Sequence, residues 1–227
     1  MRYGFAHRGG SHGPDNAIAT FTEAIALGAR GLETDAWLSQ DGIVVLDHDG
    51  LAGRSGRQPI AEVRRGDLPA HIATLTDLYQ SVGSRFDLAV DVKSPTVAAA
   101  VLAVAERHGG ADKLWLVAPQ PADLAGLDGA RGVITLRGNV MRSSRRAAAL
   151  ASAHEGGIKA INARWMWWSH AMVAEVQDLG MLAFGYDAQR RSSLDRALAV
   201  GLDGVFSDRV ERMVAAIAAA TATDQTM

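Results

Sequence analysis

Residues 33–48 decide the fold, and they read Glu33-Thr34-Asp35-Ala36-Trp37-Leu38-Ser39-Gln40-Asp41-Gly42-Ile43-Val44-Val45-Leu46-Asp47-His48. An aliphatic run over 43–46 follows Asp41-Gly42, a dipeptide typical of two-residue β-hairpin turns. A turn at these two residues places Asp35 opposite His48. Because side chains alternate along a strand, Glu33 lies on the same face as Asp35. We therefore predict a hairpin that gathers two carboxylates and an imidazole.

This acidic cluster has two interpretations. Paired carboxylates beside a histidine are costly in a protein core, whereas they are natural ligands around a divalent cation. The alternative is a solvated edge hairpin that happens to be acidic. The hairpin alone leaves both open.

Composition limits the classes of function. The chain has 227 residues, within the usual range for one α/β barrel domain, and we expect residues 1–227 to form a single domain. A net charge of −2 argues against a nucleic-acid-binding protein, which would normally have a basic face. The absence of cysteine excludes disulfides and thiolate metal sites. A metal would therefore bind oxygen or imidazole ligands, which favours Mg²⁺ or Ca²⁺.

The N-terminus shows no positively charged leader followed by an apolar segment. No run approaches the roughly 18 apolar residues of a membrane span. We therefore expect a cytoplasmic protein without an integral membrane segment.

Strands and helices alternate along the rest of the chain. We predict strands at 3–7, 86–92, 114–118, 132–136, 158–162, 181–185 and 204–207. We predict helices from Pro14 to Gly28 and over 74–83, 94–109, 121–127, 143–154, 169–179, 190–200 and 209–220. Residues 49–73 have weak periodicity and read as a loop with one helical turn.

This alternation predicts parallel strands joined by right-handed crossovers. With the two hairpin arms there are nine candidate strands, one more than a closed barrel needs. We predict a distorted (β/α)₈ TIM barrel with an extra hairpin after the second strand. An open doubly wound sheet fits less well, because no G-x-G-x-x-G motif follows the first strand.

Polar residues stand at the ends of these strands, where (β/α)₈ barrels place their chemistry. They are His7-Arg8, Glu33-Thr34-Asp35, Asp47-His48, Asp91-Val92-Lys93, Asn162 and Ser207-Asp208-Arg209. Three carboxylates, Glu33, Asp35 and Asp91, are candidate ligands of a divalent ion. Two histidines from different strands can act as acid and base. Arg8 and Lys93 supply the positive charge that an anionic substrate needs. Together they suggest metal-assisted attack on a phosphate ester.

Four further residues are candidates for a substrate pocket. Trp165, Trp167 and Trp168 follow the strand of Asn162. They could form an apolar wall for the substrate or a lid, or they could pack against a helix or form an oligomer contact. Asn16 could face the pocket or simply start the first helix.

These motifs resemble the glycerophosphodiester phosphodiesterase family. The resemblance rests on His7-Arg8-Gly9-Gly10, Asp15-Asn16-Ala17, Glu33-x-Asp35, His48-Asp49, Asp91-x-Lys93 and Ser207-Asp208-Arg209, in that order. It implies a distorted (β/α)₈ barrel that uses a divalent metal to release glycerol-3-phosphate and an alcohol. His7 and His48 would be general acid and base.

The resemblance further implies that Glu33, Asp35 and Asp91 bind the metal and that Arg8 and Lys93 hold phosphate oxygens. In the implied course, a glycerol hydroxyl of the substrate attacks phosphorus, and water then opens the cyclic phosphate.

The chain departs from the family pattern in several places. The family usually has Glu-Asn-Thr at Asp15-Asn16-Ala17 and Glu-x-Lys at Asp91-x-Lys93. Its Trp-Thr-Val-Asn is replaced by Phe184-Gly185-Tyr186-Asp187, and its Thr-Asp-Arg-Pro by Ser207-Asp208-Arg209-Val210. The insertion after His48 is short. These changes affect substrate choice more than the hydrolytic centre.

Two alternatives remain. The sphingomyelinase D family shares a similar residue set, so a phospholipase-D-like enzyme acting on lysophospholipids or sphingolipids is one. The other is a non-catalytic barrel that binds phosphorylated ligands.

Overall fold

Eight parallel strands close into a barrel in this computed structural model, which describes residues 2–52 and 58–224. The strands are β1 (Tyr3–Ala6), β2 (Gly31–Leu38), β3 (Val44–Leu46), β4 (Leu51–Ala52), β5 (Gln58–Pro59), β6 (Asp87–Val92), β7 (Leu114–Ala118), β8 (Arg131–Thr135), β9 (Ala160–Arg164), β10 (Leu182–Tyr186) and β11 (Gly204–Ser207). Around the barrel the order is β1, β2, β6, β7, β8, β9, β10, β11, and β11 pairs with β1 again.

Helices connect the barrel strands. They are α1 (Ile18–Ala26), α2 (Leu75–Val82), α3 (Pro95–Arg107), α4 (Gly138–Met141), α5 (Arg145–Glu155), α6 (His170–Asp178), α7 (Arg191–Ala199) and α8 (Val210–Asp224). The first helix starts later than predicted, because Asn16 adopts a positive φ of 57° that a helix cannot contain. The segment predicted as a helix over 121–127 is a 3₁₀ turn over Pro121–Leu124.

The predicted (β/α)₈ barrel is confirmed, and the surplus strand is the second hairpin arm. β3 pairs antiparallel with the far end of β2, outside the ring. The loop predicted over 49–73 contains a small antiparallel pair, β4 with β5, which we did not predict. Residues 53–57 of that loop lie outside the described residues.

The predicted hairpin register is wrong by one residue. Ala36 faces Leu46, so Asp35 lies opposite Asp47 and not His48. The turn has three residues, because the Ser39 N–H donates to the carbonyl of Ile43 across residues 40–42. Gly42 supplies the positive φ, 78°, that such a three-residue turn needs.

The barrel interior is a plug of large apolar side chains below the mouth. Its buried members are Phe5, Ala89, Trp115, Val117, Val133, Ala160, Phe184 and Phe206. Because strand side chains alternate, residues two positions further along point inward above this plug. His7 thus stands above Phe5, and Asp91 above Ala89. The plug forms the floor of the candidate site.

No helix in the described part of the chain has the length and hydrophobicity to cross a membrane.

Candidate active site

A tight turn after β1 directs His7 and Arg8 toward the carboxylates of β2. Residues His7–Gly9 form a 3₁₀ turn in which Arg8 has a left-handed backbone, with φ 52°. In that conformation the backbone N–H of Arg8 donates to Oε2 of Glu33 at 2.9 Å. The first and second strands are therefore linked directly at the mouth.

His7 lies between two carboxylates. Its Nδ1 is 2.6 Å from Oδ1 of Asp208, and its Nε2 is 3.9 Å from Oε2 of Glu33. Burial alone would lower the pKa of His7. The hydrogen bond to Asp208 and the negative charges of Glu33 and Asp208 outweigh burial, and they raise the pKa to about 9. His7 is therefore a cation at neutral pH.

Glu33 is a buried carboxyl in an acidic setting. Burial raises its pKa to about 7, against the lowering effect of the nearby His7 charge. The charges of Asp35 and Asp91 raise it further. The three acids predicted to act together are thus close enough for their charges to influence one another.

Asp35 is the centre of a network of ion pairs. Its side chain is only 5% exposed, and Oδ1 accepts from Nζ of Lys93 at 3.0 Å. Its Oδ2 is 3.5 Å from Nε of Arg8, and this buried oxygen has no hydrogen-bond partner. Lys93 also donates to Asp91 at 2.8 Å. Burial raises the pKa of Asp91, although Lys93 opposes the rise.

His48 lies at the rim. Its side chain is 47% exposed, and its Nδ1 is 2.7 Å from Oδ1 of Asp49. It is near enough to Asp91 that a charge on the imidazole would lower the pKa of that carboxyl. The structure therefore places His48 on the same side of the mouth as the acids, although the hairpin pairing predicted for it is wrong.

The carboxylates contact cationic side chains in this structure. No group of three histidine, aspartate or glutamate residues within 2–52 and 58–224 is arranged to hold a metal ion. Even so, an all-oxygen donor set, a buried unpartnered oxygen on Asp35 and the raised pKa of Glu33 fit a hard divalent cation. Glu33, Asp35 and Asp91 are the residues that could hold it.

Asn16 supports β2. It is buried, and its Oδ1 accepts from the hydroxyl of Thr34 at 2.8 Å. Since Thr34 separates Glu33 from Asp35, this contact fixes the strand between the two acids. The side-chain carbonyl of Asn16 therefore already accepts a hydrogen bond from Thr34.

The three tryptophans after β9 differ in burial and in their contacts. Trp168 is buried and donates to the carbonyl of Phe184 at 3.0 Å, so packing describes it best among the predicted roles. It has almost no exposed surface, which favours packing over a role in a substrate pocket. Trp165 and Trp167 are half-buried. The ring of Trp167 packs edge-on against Tyr186, with Arg142 over its face.

Sequence reasoning named Asp208 at a strand end but gave it no role. Its contact with His7 depends on the pairing of β1 with β11, the first and last strands, which no local pattern reveals. The polar triplet Ser207-Asp208-Arg209 was the available signal. Gln189, which contacts Asp208 at 2.9 Å, was missed entirely.

Comparisons with known proteins agree with this geometry. Residues 7–78 match the model of the glycerophosphoryl diester phosphodiesterase family. The chain is 33% identical over 117 residues to a probable glycerophosphodiester phosphodiesterase 2 of Mycobacterium tuberculosis, covering 47% of this chain and 44% of that protein. It is 47% identical over 51 residues to the human glycerophosphodiester phosphodiesterase 1, covering 22% of this chain and 15% of that one. The matched segments thus span less than half the length of these curated relatives.

Solved structures share the whole fold. A putative glycerophosphoryl diester phosphodiesterase from Agrobacterium tumefaciens superposes with a TM-score of 0.83 at 20% identity, covering 99% of both chains. An Oleispira antarctica phosphodiesterase in complex with the product sn-glycerol-3-phosphate gives 0.83 at 20% identity, covering 96% of this chain and 97% of that one. The family match begins at His7 and includes both β2 acids and His48. Residues 7–78 therefore resemble the glycerophosphoryl diester phosphodiesterase family, and the whole chain shares the fold of the solved structures that carry this name.

Proposed function

We propose that this chain is a metal-dependent phosphoric diester hydrolase that converts glycerophosphodiesters to glycerol-3-phosphate and an alcohol. The observation that supports it most is the meeting of His7, Glu33 and Asp35 with Arg8 and Lys93 at one barrel mouth. The names of the curated relatives and the product bound to the Oleispira protein agree with this activity.

Two cations at the mouth suit a phosphate diester. The guanidinium of Arg8 and the ammonium of Lys93 approach opposite oxygens of Asp35. An entering phosphate would compete for the same donors, because both groups are cations and a guanidinium can bind two phosphate oxygens at once. Arg8 and Lys93 are therefore the proposed phosphate-binding residues.

Glu33, Asp35 and Asp91 are the proposed ligands of a divalent cation, Mg²⁺ or Ca²⁺. Such an ion would supply charge stabilisation at the phosphoryl oxygens during attack. It would also neutralise three neighbouring acids, of which Glu33 and Asp91 have pKa values raised by burial first and by the charges of the other acids second.

The two histidines have complementary settings for acid–base catalysis. Asp208 holds Nδ1 of His7 and favours its charged form, so His7 is the proposed acid that protonates the leaving oxygen through Nε2. His48 uses Nδ1 to contact Asp49 and keeps Nε2 as the atom that accepts the proton of the attacking hydroxyl. His48 thus takes one proton from the attacking hydroxyl while His7 gives one proton to the leaving oxygen, so the protons balance in this step.

The test is release of glycerol-3-phosphate from glycerophosphocholine and glycerophosphoethanolamine, with Mg²⁺, Ca²⁺ or EDTA. We expect metal-dependent turnover, and losses of about 10²-fold or more in kcat for His7→Gln and for His48→Gln. His71→Gln, at an exposed turn, is the matched control and should keep wild-type turnover.

Two outcomes would overturn the proposal. Choline release from lysolipid micelles in preference to water-soluble diesters would indicate the phospholipase-D-like alternative. Equal binding of glycerophosphocholine by wild type and His48→Gln, with turnover by neither, would indicate a non-catalytic binding barrel.

A further inference from the structure

Gln189 stands just beyond β10, beside the end of β11. Asp187 turns the chain there with a positive φ of 68°, and Arg164 holds its carboxylate at 2.8 Å. Ala188 is then fully buried, and its carbonyl lies 2.8 Å from the hydroxyl of Ser207. This turn brings the amide of Gln189 against the first residue after β11.

The amide of Gln189 contacts Asp208 at both its backbone and its side chain. Oε1 accepts from the backbone N–H of Asp208 at 2.9 Å, and it is 3.0 Å from the hydroxyl of Ser207. Nε2 donates to Oδ2 of Asp208 at 2.9 Å. If the amide were flipped, Nε2 would face the Asp208 N–H, which is also a donor, and Oε1 would face Oδ2 of Asp208, which is also an acceptor. The two neighbouring groups therefore determine the orientation of the amide.

The two oxygens of Asp208 therefore have different partners. Oδ1 contacts Nδ1 of His7, and Oδ2 contacts Gln189. The Asp208 side chain is 40% exposed, so without the amide it could rotate into water. We infer that Gln189 is a positioning residue that orients the Asp208 carboxylate and thereby holds the His7 ring with Nε2 toward Glu33.

This role rests on the proposed function, in which His7 acts on the substrate, and it deepens that function. The competing interpretation is that Gln189 only braces the backbone after β11. The two differ in which amide atom matters. Bracing needs Oε1, whereas orientation of Asp208 needs the donor Nε2, which glutamate and methionine both lack.

The kinetic test uses Gln189→Glu and Gln189→Met. Gln189→Glu keeps an oxygen that can accept from the Asp208 N–H. Its second carboxylate oxygen, however, replaces the donor Nε2 and faces Oδ2 of Asp208, which it repels. We expect kcat on glycerophosphocholine to fall about tenfold in both variants, as for partners that orient a reacting group. We expect KM to stay within about twofold, because substrate contacts are unchanged.

A double-mutant cycle separates orientation from bracing. In an Asp208→Ala background, Gln189→Met should cause no further loss of kcat if Gln189 acts through Asp208. Gln177→Met is the matched control, since its amide also donates to an aspartate, Asp203 at 3.1 Å, at the other end of the barrel. That variant should keep the wild-type kcat.

A spectroscopic arm does not depend on turnover. We expect a downfield proton resonance from Nδ1 of His7, identified by its loss in His7→Gln, that exchanges with water faster in Gln189→Glu. Unchanged kcat in both Gln189 variants of an active enzyme, or a full further loss in the Asp208→Ala background, would overturn the inference. If wild type hydrolyses no diester, the proposed function fails, and an unchanged His7 resonance would then overturn the positioning role separately.

Discussion

At the residue scale, the carboxylates of the candidate site repel one another, and bound protons and neighbouring cationic side chains reduce this repulsion. Burial raises the pKa of Glu33 to about 7, and the pKa of His7 rises to about 9 beside Asp208. Both groups therefore bind protons more tightly in the folded protein than in the unfolded chain. This has a definite consequence for stability as a function of pH.

We predict that the metal-free protein becomes less stable as pH rises. The contribution of His7 is complete below its ordinary pKa of 6.5 and is lost as pH passes through about 9. That of Glu33 is complete below 4.5 and is lost through about 7. The free energy of unfolding, measured with urea in EDTA, should therefore fall from pH 5 to pH 9.

The control for this pH effect is Asp208→Asn, which removes the hydrogen-bonded charge beside His7. Its unfolding free energy should decline less above pH 6.5 than that of wild type. A free energy that rises through this range in wild type would contradict the assignment of raised pKa values.

At the element scale, most of the fold could be predicted because each strand and helix has a local signal. Thr74 and Ser94, for example, cap α2 and α3 with their side chains, as their positions before apolar runs indicate. The hairpin register could not be read in the same way. Asp41-Gly42 fits both a two-residue turn and the last two positions of a three-residue turn, and the choice shifts every facing pair.

The site was predictable in part for the same reason. Strand-end motifs identified the acids and His7, whereas the contacts of Asp208 and Gln189 depend on which strands become neighbours around the ring. That information is spread over the whole chain. The single-domain organisation, the cytoplasmic location and the metal ligands stay predictions.

We predict that Gly42→Ala destabilises the protein by about 1 kcal/mol, because the left-handed backbone at this position is sterically strained for alanine but not for glycine. The methyl group itself meets no atom within 4 Å, so the effect isolates backbone strain. Urea unfolding at fixed pH measures it. Gly66→Ala is the matched control, since it also meets nothing within 4 Å and needs no positive φ. A loss as large in Gly66→Ala would contradict the role of the turn.

At the scale of the whole molecule, the aromatic plug supports the mouth. Phe184 is fully buried and contacts the rings of Phe5, Trp115 and Phe206. These rings come from four different strands, so they connect the barrel wall across its interior. The side chains above the plug keep their positions only if it stays filled.

We predict that Phe184→Ala lowers the free energy of unfolding by about 3–5 kcal/mol, through lost burial and the cavity that remains. Urea unfolding monitored by tryptophan fluorescence measures this, with Trp115 in the plug as a reporter. Ile43→Ala, at the exposed hairpin tip, should change stability by less than about 0.5 kcal/mol. Equal effects of the two substitutions would show that the barrel interior does not support the fold.

The pairing of β1 with β11 has a consequence for the order of assembly. Tyr3 lies beside Gly204, so among the barrel strands β1, which is synthesised before the others, must wait for β11, which is synthesised after them. His7 and Asp208 face each other across that same junction. Contacts so distant along the chain form slowly, because a long loop must close before they can contribute. The contact between His7 and Asp208 is therefore completed only when the ring itself is complete.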